Sequence, residues 1–263
     1  MNYWQKRLIE AQNNLTNKNI KQINKQLTAY YRQATRRVLA DFEATYDKLL
    51  AQQIDGKEVT PADLYKLDKY WQLQGQMRQE LRLLGERQVA ALTKAFEVQF
   101  FDIYYSIALE GASSFATLDT AAVHQMINAI WVADGKSWSE RIWQNTELLA
   151  ATLNEEMISC VATGKKTTQL KQILQSRFDV SYSNADMLVR TEMAHIQTQA
   201  AQKRYQDYGI QEVEVFVDED ERTCPVCAKH EGEKHPINAQ MPVPFHPRCR
   251  CCMLPVINTQ NAV

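Results

Sequence analysis

The chain is poor in residues that interrupt helices, and it has no long apolar segment. Its 263 residues include only eight glycines and seven prolines, and both types are unfavourable inside helices. No apolar run approaches the roughly 20 residues that a helix needs to cross a bilayer. Residues 1–20 are polar and lack the apolar core of a secretory signal. These absences favour a mainly α-helical protein of one or two domains with no membrane partner.

The sequence also lacks the common motifs of catalysis. It has no glycine-rich phosphate-binding loop and no nucleophile elbow of the G-x-S-x-G type. His230 and His235 enclose an acidic segment that superficially matches a zinc protease motif. That motif needs its histidines four residues apart on a helix, whereas these are five apart with Gly232 between them. We therefore expect a polar loop there, no small-molecule substrate, and a protein that is not an enzyme.

Charge is nearly balanced over the whole chain but uneven along it. The formal net charge is -1, so bulk charge does not mark the molecule as a polyanion binder. Residues 1–37 hold one acid, Glu10, and eight basic residues: Lys6, Arg7, Lys18, Lys21, Lys25, Arg32, Arg36 and Arg37. Such a run is typical of a solvated helix face. The alternative is a surface for nucleic acid or for an acidic protein partner.

Apolar residues recur at three- and four-residue steps from Ile20 to Leu49, which predicts one long amphipathic helix. The patterns and capping signals predict further helices at about 60–77, 79–109, 120–130, 137–161, 167–177 and 183–209. Gly75 and Gly85 interrupt the second and third patterns and are candidate bends or boundaries.

Only one segment has the alternation of a strand, at Val213, Val215 and Val217. The predicted fold is mainly α, with an elongated helical N-terminal region and a small C-terminal α+β domain. The expected division is 1–135 for the helical docking region, 136–256 for the second domain, and 257–263 for a short tail.

Cysteine is sparse except near the end of the chain. Five of the six cysteines lie in two clusters, Cys224-Pro225-Val226-Cys227 and His246-Pro247-Arg248-Cys249-Arg250-Cys251-Cys252. Two donor pairs at this spacing can close a tetrahedron around one zinc ion. The clusters indicate thiolates in a reducing compartment rather than disulfides. The remaining cysteine, Cys160, is expected to be a small buried apolar residue on a helix.

The first choice of zinc ligands takes one pair from each cluster: Cys224, Cys227, His246 and Cys249. Cys251 competes with His246 for the fourth position, while Cys252 and His230 are weaker candidates. Four soft ligands leave no position open for water, so the predicted zinc is structural. It would hold together the small C-terminal α+β domain, which is therefore predicted to be clipped by zinc.

The segment Arg190-Thr191-Glu192 is predicted to lie on a helix with His195. Glu192 and His195 are three residues apart and share a helix face, so an acid–base pair or a second metal site is one interpretation. The favoured interpretation is structural, with Arg190 and Glu192 tying the helix to the strand and to the zinc segment.

The C-terminal third combines several motifs in a specific order. They are Gly164, Ala185, Arg190-Thr191-Glu192, Gly209, the strand, Asp220-Glu221-Arg222-Thr223-Cys224-Pro225-Val226-Cys227, Gly232, Pro244-Phe245-His246-Pro247-Arg248-Cys249-Arg250-Cys251 and Pro255. This combination, over about 150–256, resembles the phage Mu F-like head morphogenesis family, the minor head proteins of tailed phages. The resemblance implies a structural virion component of the inner head, present in the host cytoplasm during assembly. Its implied partners are the portal protein and the major capsid protein, and its implied roles are head assembly, DNA packaging or DNA delivery.

Two other classes of protein remain as alternatives. An HNH-type zinc nuclease also carries cysteine pairs and a nearby histidine, but this chain lacks a convincing His/Asn catalytic set beside the zinc. A zinc-ribbon DNA-binding protein would carry base-reading basic residues around the metal, and only Arg248 and Arg250 lie close in sequence. The leading expectation is a minor head protein whose residues 1–37 contact portal, inner capsid or packaged DNA.

Overall fold

A computed structural model describes residues 3–51, 68–108, 118–217, 221 and 223–257 of the chain. In these residues the chain forms, in order, α1 (Tyr3–Ala51), α2 (Asp68–Ser106), α3 (Thr120–Ile127), α4 (Trp138–Ala162), α5 (Thr167–Asp207), β1 (Glu212–Phe216), α6 (Pro225–Ala228), β2 (Lys234–Pro236) and β3 (Cys252–Pro255). The predicted fold class, mainly α with a small C-terminal α+β part, is confirmed. None of the described helices combines the length and the apolarity that crossing a bilayer requires.

Helix α5 is one continuous helix of 41 residues, so the prediction of two helices at 167–177 and 183–209 was wrong. The capping signal at Ser183 does not end the helix, because the residues on both sides of it are held by packing. Phe178 and Ala185 are both buried in the same apolar core. Burial against neighbouring helices outweighs a local capping preference of about 1 kcal/mol.

Helix α2 likewise runs unbroken for 39 residues through both of its glycines, so neither Gly75 nor Gly85 is a boundary. The predicted turn near 52–58, the helix start at Thr60 and most of the connection after Gly111 lie outside the described residues.

Two compact units share the chain. The first unit comprises Met1–Ile23, Leu92–Ser137 and Met187–Val263, and the second comprises Asn24–Ala91 and Trp138–Asp186. Both units draw on α1, α2 and α5. One break between them, at Ser137, lies close to the predicted division at 135. That division, with the domains 1–135 and 136–256, stays a prediction, and the predicted tail lies outside the described residues apart from Ile257.

The second unit contains an apolar core built by four helices. Residues of α1 at three- and four-residue spacing enter it, as the sequence pattern predicts: Tyr31, Ala34, Val38, Phe42 and Tyr46. Cys160 of α4 is fully buried in the same core, which confirms its predicted role. Burial raises the pKa of the Cys160 thiol, so it behaves as an apolar side chain.

Gly85 allows α2 and α4 to approach closely within the second unit. A Cβ atom on Gly85 would lie 2.5 Å from Cζ3 of Trp143, far inside the contact distance of two carbon atoms. The function of this glycine is therefore close packing against an indole ring, without any break in the helix.

The first unit is held partly by buried polar side chains. Thr16 donates to Oε1 of Gln197 at 2.7 Å, and Gln99 donates to the Thr16 hydroxyl at 2.7 Å. Asn19 donates in turn to Oε1 of Gln99 at 3.0 Å. Because these groups bond to one another, their burial leaves few hydrogen-bonding demands unmet. The network joins α1, α2 and α5.

The sheet of the first unit has the strand order β2-β1-β3, and both pairings are antiparallel. Only β1 had a recognisable sequence pattern. In β3 all four residues are buried, so the apolar–polar alternation is absent. The register places Cys252, the first residue of β3, opposite Phe216, the last residue of β1.

We expect Gly85→Ala to lower the free energy of unfolding by about 1–3 kcal/mol, because the new methyl group must displace the Trp143 ring. Gly75→Ala is the matched control. Its added Cβ meets no atom within 4 Å among the described residues, so it should raise stability by about 0.5–1 kcal/mol. Urea unfolding followed by circular dichroism measures both. Equal stabilisation by the two substitutions would contradict the close-packing role.

Candidate metal centre

Two short knuckles of chain meet in the first unit. The first knuckle follows β1 and begins the short helix α6, where Cys224 is the N-cap and its sulfur accepts a hydrogen bond from the Cys227 amide at 3.4 Å. Pro225 suits the first turn of such a helix, because its fixed φ and missing N–H carry no cost there. The second knuckle directly precedes β3, with the Cys249 amide donating to the His246 carbonyl at 3.1 Å. Since β3 pairs with β1, both knuckles lie at the same end of the sheet.

The side chains of the two knuckles converge. Nε2 of His246 lies 3.2 Å from Sγ of Cys224 and 3.0 Å from Sγ of Cys227. Sγ of Cys227 lies 3.8 Å from Sγ of Cys249. The structure thus brings together the four first-choice ligands that the sequence predicts.

Five side chains form two overlapping donor groups among the described residues. Within each group the donor atoms all lie within 4.8 Å of one another, and Cys227 belongs to both: Cys224, Cys227 and His246 form one, and Cys227, Cys249 and Cys251 form the other. All six cysteines are free thiols. The cluster could therefore hold a metal ion.

The spacing of these atoms suits a tetrahedral ion with sulfur ligands. Zn–S bonds of about 2.3 Å place two sulfurs of a tetrahedron about 3.8 Å apart. The separation of 3.8 Å between Cys227 and Cys249 equals that edge. Cys227, Cys249 and Cys251 are all less than 7% exposed, so solvent has little access to most of the cluster.

A backbone contact fixes the orientation of the His246 ring. Its Nδ1 lies 2.8 Å from the carbonyl oxygen of Pro247, and a carbonyl can only accept, so Nδ1 carries the hydrogen. This hydrogen bond is the main reason why the pKa of His246 is raised. The lone pair of the ring is then on Nε2, which faces Cys224 and Cys227. Metal-binding histidines are commonly oriented by such a hydrogen bond from the other ring nitrogen.

Cys249 and Cys251 differ in how readily they form thiolates. A hydrogen bond between the two thiols lowers the pKa of Cys249 and raises that of Cys251. Burial raises the pKa of Cys227, and hydrogen bonding from the Cys227 amide lowers that of Cys224.

The weaker candidates lie apart from the cluster. Cys252 is the first residue of β3 and belongs to neither donor group. His230 stacks on Phe245 with ring centroids 4.1 Å apart, and its Nδ1 donates to Glu233 at 2.6 Å. The segment from His230 to His235 forms a turn that leads into β2. The five-residue spacing of the two histidines predicted a loop rather than a helix, and this prediction is confirmed.

Helix α5 supports the second knuckle through a residue that sequence reasoning missed. The hydroxyl of Thr191 accepts a hydrogen bond from the Arg248 amide at 3.1 Å. Arg248 has φ +62°, a left-handed conformation that costs a non-glycine residue about 1–2 kcal/mol. Thr191 was named only as part of a motif, and no periodicity or spacing marks its contact with the knuckle.

The loop between the knuckles is also anchored on α5. Nε2 of Gln202 donates to the carbonyl oxygens of Ile237 at 2.6 Å and Ala239 at 2.9 Å. Tyr205 donates to the carbonyl oxygen of Met253 in β3 at 3.3 Å. One face of α5 thus positions the loop and the strand that flank the second knuckle.

Glu192 and His195 contact a tryptophan and belong to no donor group. Nε1 of Trp131 donates to Glu192 at 3.0 Å, and the His195 ring stacks on Trp131 with centroids 4.2 Å apart. Burial lowers the pKa of His195 to about 4, so the ring is neutral at pH 7. The two residues do share a face, and that face packs on Trp131. Thr191 of this motif contacts the metal segment through the Arg248 amide. The tie predicted for Arg190 and Glu192 stays a prediction.

Comparison with known proteins gives one match. Residues 151–254 match the family model described as Phage Mu protein F like protein. No curated protein and no solved structure matches the chain. The matched segment includes α5, β1, β2, most of β3 and all five donors of the cluster. The match confirms the resemblance of this segment to the phage Mu F-like family that the order of its motifs predicted.

Proposed function

We propose that the chain is a structural minor head protein of a tailed bacteriophage. The observation that carries the proposal is the convergence of both cysteine knuckles on one donor cluster inside the segment that matches the phage Mu F-like family. In this role the protein is part of the inner head of the virion, binds the portal protein and the major capsid protein, and acts in head assembly, DNA packaging or DNA delivery. It performs no catalysis.

The metal in this proposal is a structural Zn²⁺. Between β1 and β3 the described residues are mostly exposed or partly exposed. The few that are buried include Val217, Ile237 and Val243. A segment with so little apolar burial needs a further source of stability, and a closed zinc site supplies one. Sulfur-rich donor sets favour zinc among the common divalent ions.

We further propose that His246 is the fourth zinc ligand and that Cys251 is next to the ligands without binding the ion itself. His246 is within 3.2 Å of two cysteine sulfurs and presents Nε2 to them. Cys251 is buried beside Cys227 and Cys249 in the other donor group, where its thiol can hydrogen-bond to a coordinated thiolate without being a ligand itself. The proposed ligand set is Cys224, Cys227, His246 and Cys249.

We expect the purified chain to hold about one zinc per molecule, because a closed four-ligand site binds a single ion. Cys224→Ser, Cys227→Ser and Cys249→Ser should lower the zinc content well below that value. Cys251→Ser and the control Cys160→Ser should leave it near one. Elemental analysis measures the content, and X-ray absorption at the zinc edge should show three sulfur neighbours and one nitrogen neighbour.

The comparison of His246→Ala with Cys251→Ser tests the choice of the fourth ligand. Loss of zinc from Cys251→Ser alone, with four sulfur neighbours in the wild-type spectrum, would assign the position to Cys251. Absence of zinc from the wild-type protein, with every cluster thiol freely reactive in the folded state, would contradict a metal site altogether.

The assignment to the phage head predicts where the protein is found. It should be detected by mass spectrometry in purified virions, in fewer copies than the major capsid protein. It should also co-purify with the portal protein when the two are co-expressed. Cys227→Ser should reduce that co-purification if the metal segment shapes the docking domain, whereas Cys160→Ser should not.

Absence of the protein from both virions and portal complexes would count against a head protein. Magnesium-dependent cleavage of duplex DNA that is lost in His235→Ala or His246→Ala, with the fold retained, would instead assign a zinc nuclease. These outcomes concern the assembled particle and enzymatic activity, and neither depends on the identity of the fourth zinc ligand.

A further inference from the structure

Within the second unit, α1 and α5 enclose a surface groove of about 320 Å³. Leu39 and Phe178 provide apolar lining, and Arg32 and Arg36 provide cationic lining. Both arginines are exposed and lie four residues apart on α1, one turn or about 6 Å along the helix axis. The groove thus presents two guanidinium groups side by side.

The two arginines repel each other with no acid on α1 to offset the repulsion. Like charges four residues apart destabilise a helix. None of the positions on α1 that could offset this charge is acidic: Thr28, Ala29, Gln33, Thr35, Leu39 and Ala40. A solvated helix face is more stable when positive and negative side chains alternate along it. The charges around Arg32 and Arg36 on α1 do not alternate in this way.

Three other basic residues of the same unit form ion pairs. Arg37 donates to Glu80 at 2.9 Å, Lys171 contacts Glu43 at 2.9 Å, and Arg177 contacts Glu156 at 2.5 Å. No ion pair joins Arg32 or Arg36 to any acid in the part of the chain that the structure describes. Arg32 and Arg36 thus keep their charge available to a ligand.

Two other polar residues of the groove, Thr28 and Asp179, have hydrogen-bond partners within the protein. Thr28 donates to the Asn24 carbonyl at 2.8 Å and lies 3.0 Å from the Tyr182 hydroxyl, which then acts as the donor to Thr28. Asp179, the one acid that lines the groove, accepts from Gln175 at 3.0 Å. What the groove offers a ligand is chiefly the donors of two guanidinium groups, so a matching ligand is an anion with several acceptor oxygens.

We propose that Arg32 and Arg36 bind phosphate groups of duplex DNA at this groove. Lys25 is exposed seven residues before Arg32, which places it on the same face of α1 two turns away. A row of cations along one helix fits a linear polyanion, and duplex DNA carries one charge per about 1.7 Å. The inference rests on the proposed function, because it specifies which residues of the basic segment 1–37 would contact packaged DNA.

Binding of the full chain to a fluorescent 30-base-pair duplex, measured by anisotropy between about 50 and 200 mM salt, tests the proposal. Arg32→Ala and Arg36→Ala should each reduce the slope of log affinity against log salt by about 0.9. The same relation implies a loss of about eightfold in affinity at 0.1 M salt for each phosphate contact. Arg32→Lys keeps the charge and should retain the slope.

Arg37→Ala is the matched control, since it removes the same charge from the same helix outside the groove. It should leave the slope unchanged, and thermal melting should show that all variants fold. Equal slopes for Arg32→Ala, Arg36→Ala and wild type would overturn the proposal, as would no DNA binding by the wild type. Saturable binding of poly-glutamate that is lost in both groove variants, with DNA binding intact, would assign the groove to an acidic protein and also overturn it.

Presence of the protein in virions is measured separately. A head protein without DNA binding would refute this inference alone, while DNA binding by a protein absent from virions would refute the proposed function alone.

Discussion

Helix α5 positions the second knuckle and the loop that leads to it. This loop has little apolar core of its own, since Ile237 and Val243 are among its few buried residues. Gln202 holds the middle of the loop by two backbone carbonyls, and Thr191 holds the turn at Arg248. Because these contacts come from one helix, the loop and the turn at Arg248 are positioned relative to each other. Preorganisation of this kind lowers the entropy lost when ligands close around an ion.

The donor cluster could be predicted from the sequence because paired cysteines at short spacing are rare and their geometry is local. The first-choice ligands do converge. The competition between His246 and Cys251 could not be decided from spacing, since both lie within a few residues of Cys249. It depends on the direction of the imidazole ring, which is set by the contact with the Pro247 carbonyl. Thr191 could not be predicted either, because its partner lies 57 residues away along the chain.

The same distinction applies to the fold: features with a local cause could be predicted from the sequence, and features that depend on distant residues could not. The apolar stripe from Tyr31 to Tyr46 predicted a buried helix face, and it is buried. The continuity of α5 and the close packing at Gly85 depend on neighbouring helices, which a local pattern does not contain. The buried Gln99 is the clearest case, since a polar residue in a helix predicts exposure. It is buried here because Thr16 and Asn19 meet its hydrogen-bonding demands from another helix.

The left-handed backbone at Arg248 limits which residues evolution can place there. Glycine reaches that conformation without steric cost, and asparagine and aspartate reach it more easily than other residues. Valine and isoleucine would be strongly disfavoured, because their branched Cβ clashes with the backbone at positive φ. Among relatives of this segment, β-branched residues should therefore be rare at the position directly before the cysteine of the second knuckle. The backbone angle thus restricts this site separately from the chemistry of the guanidinium group.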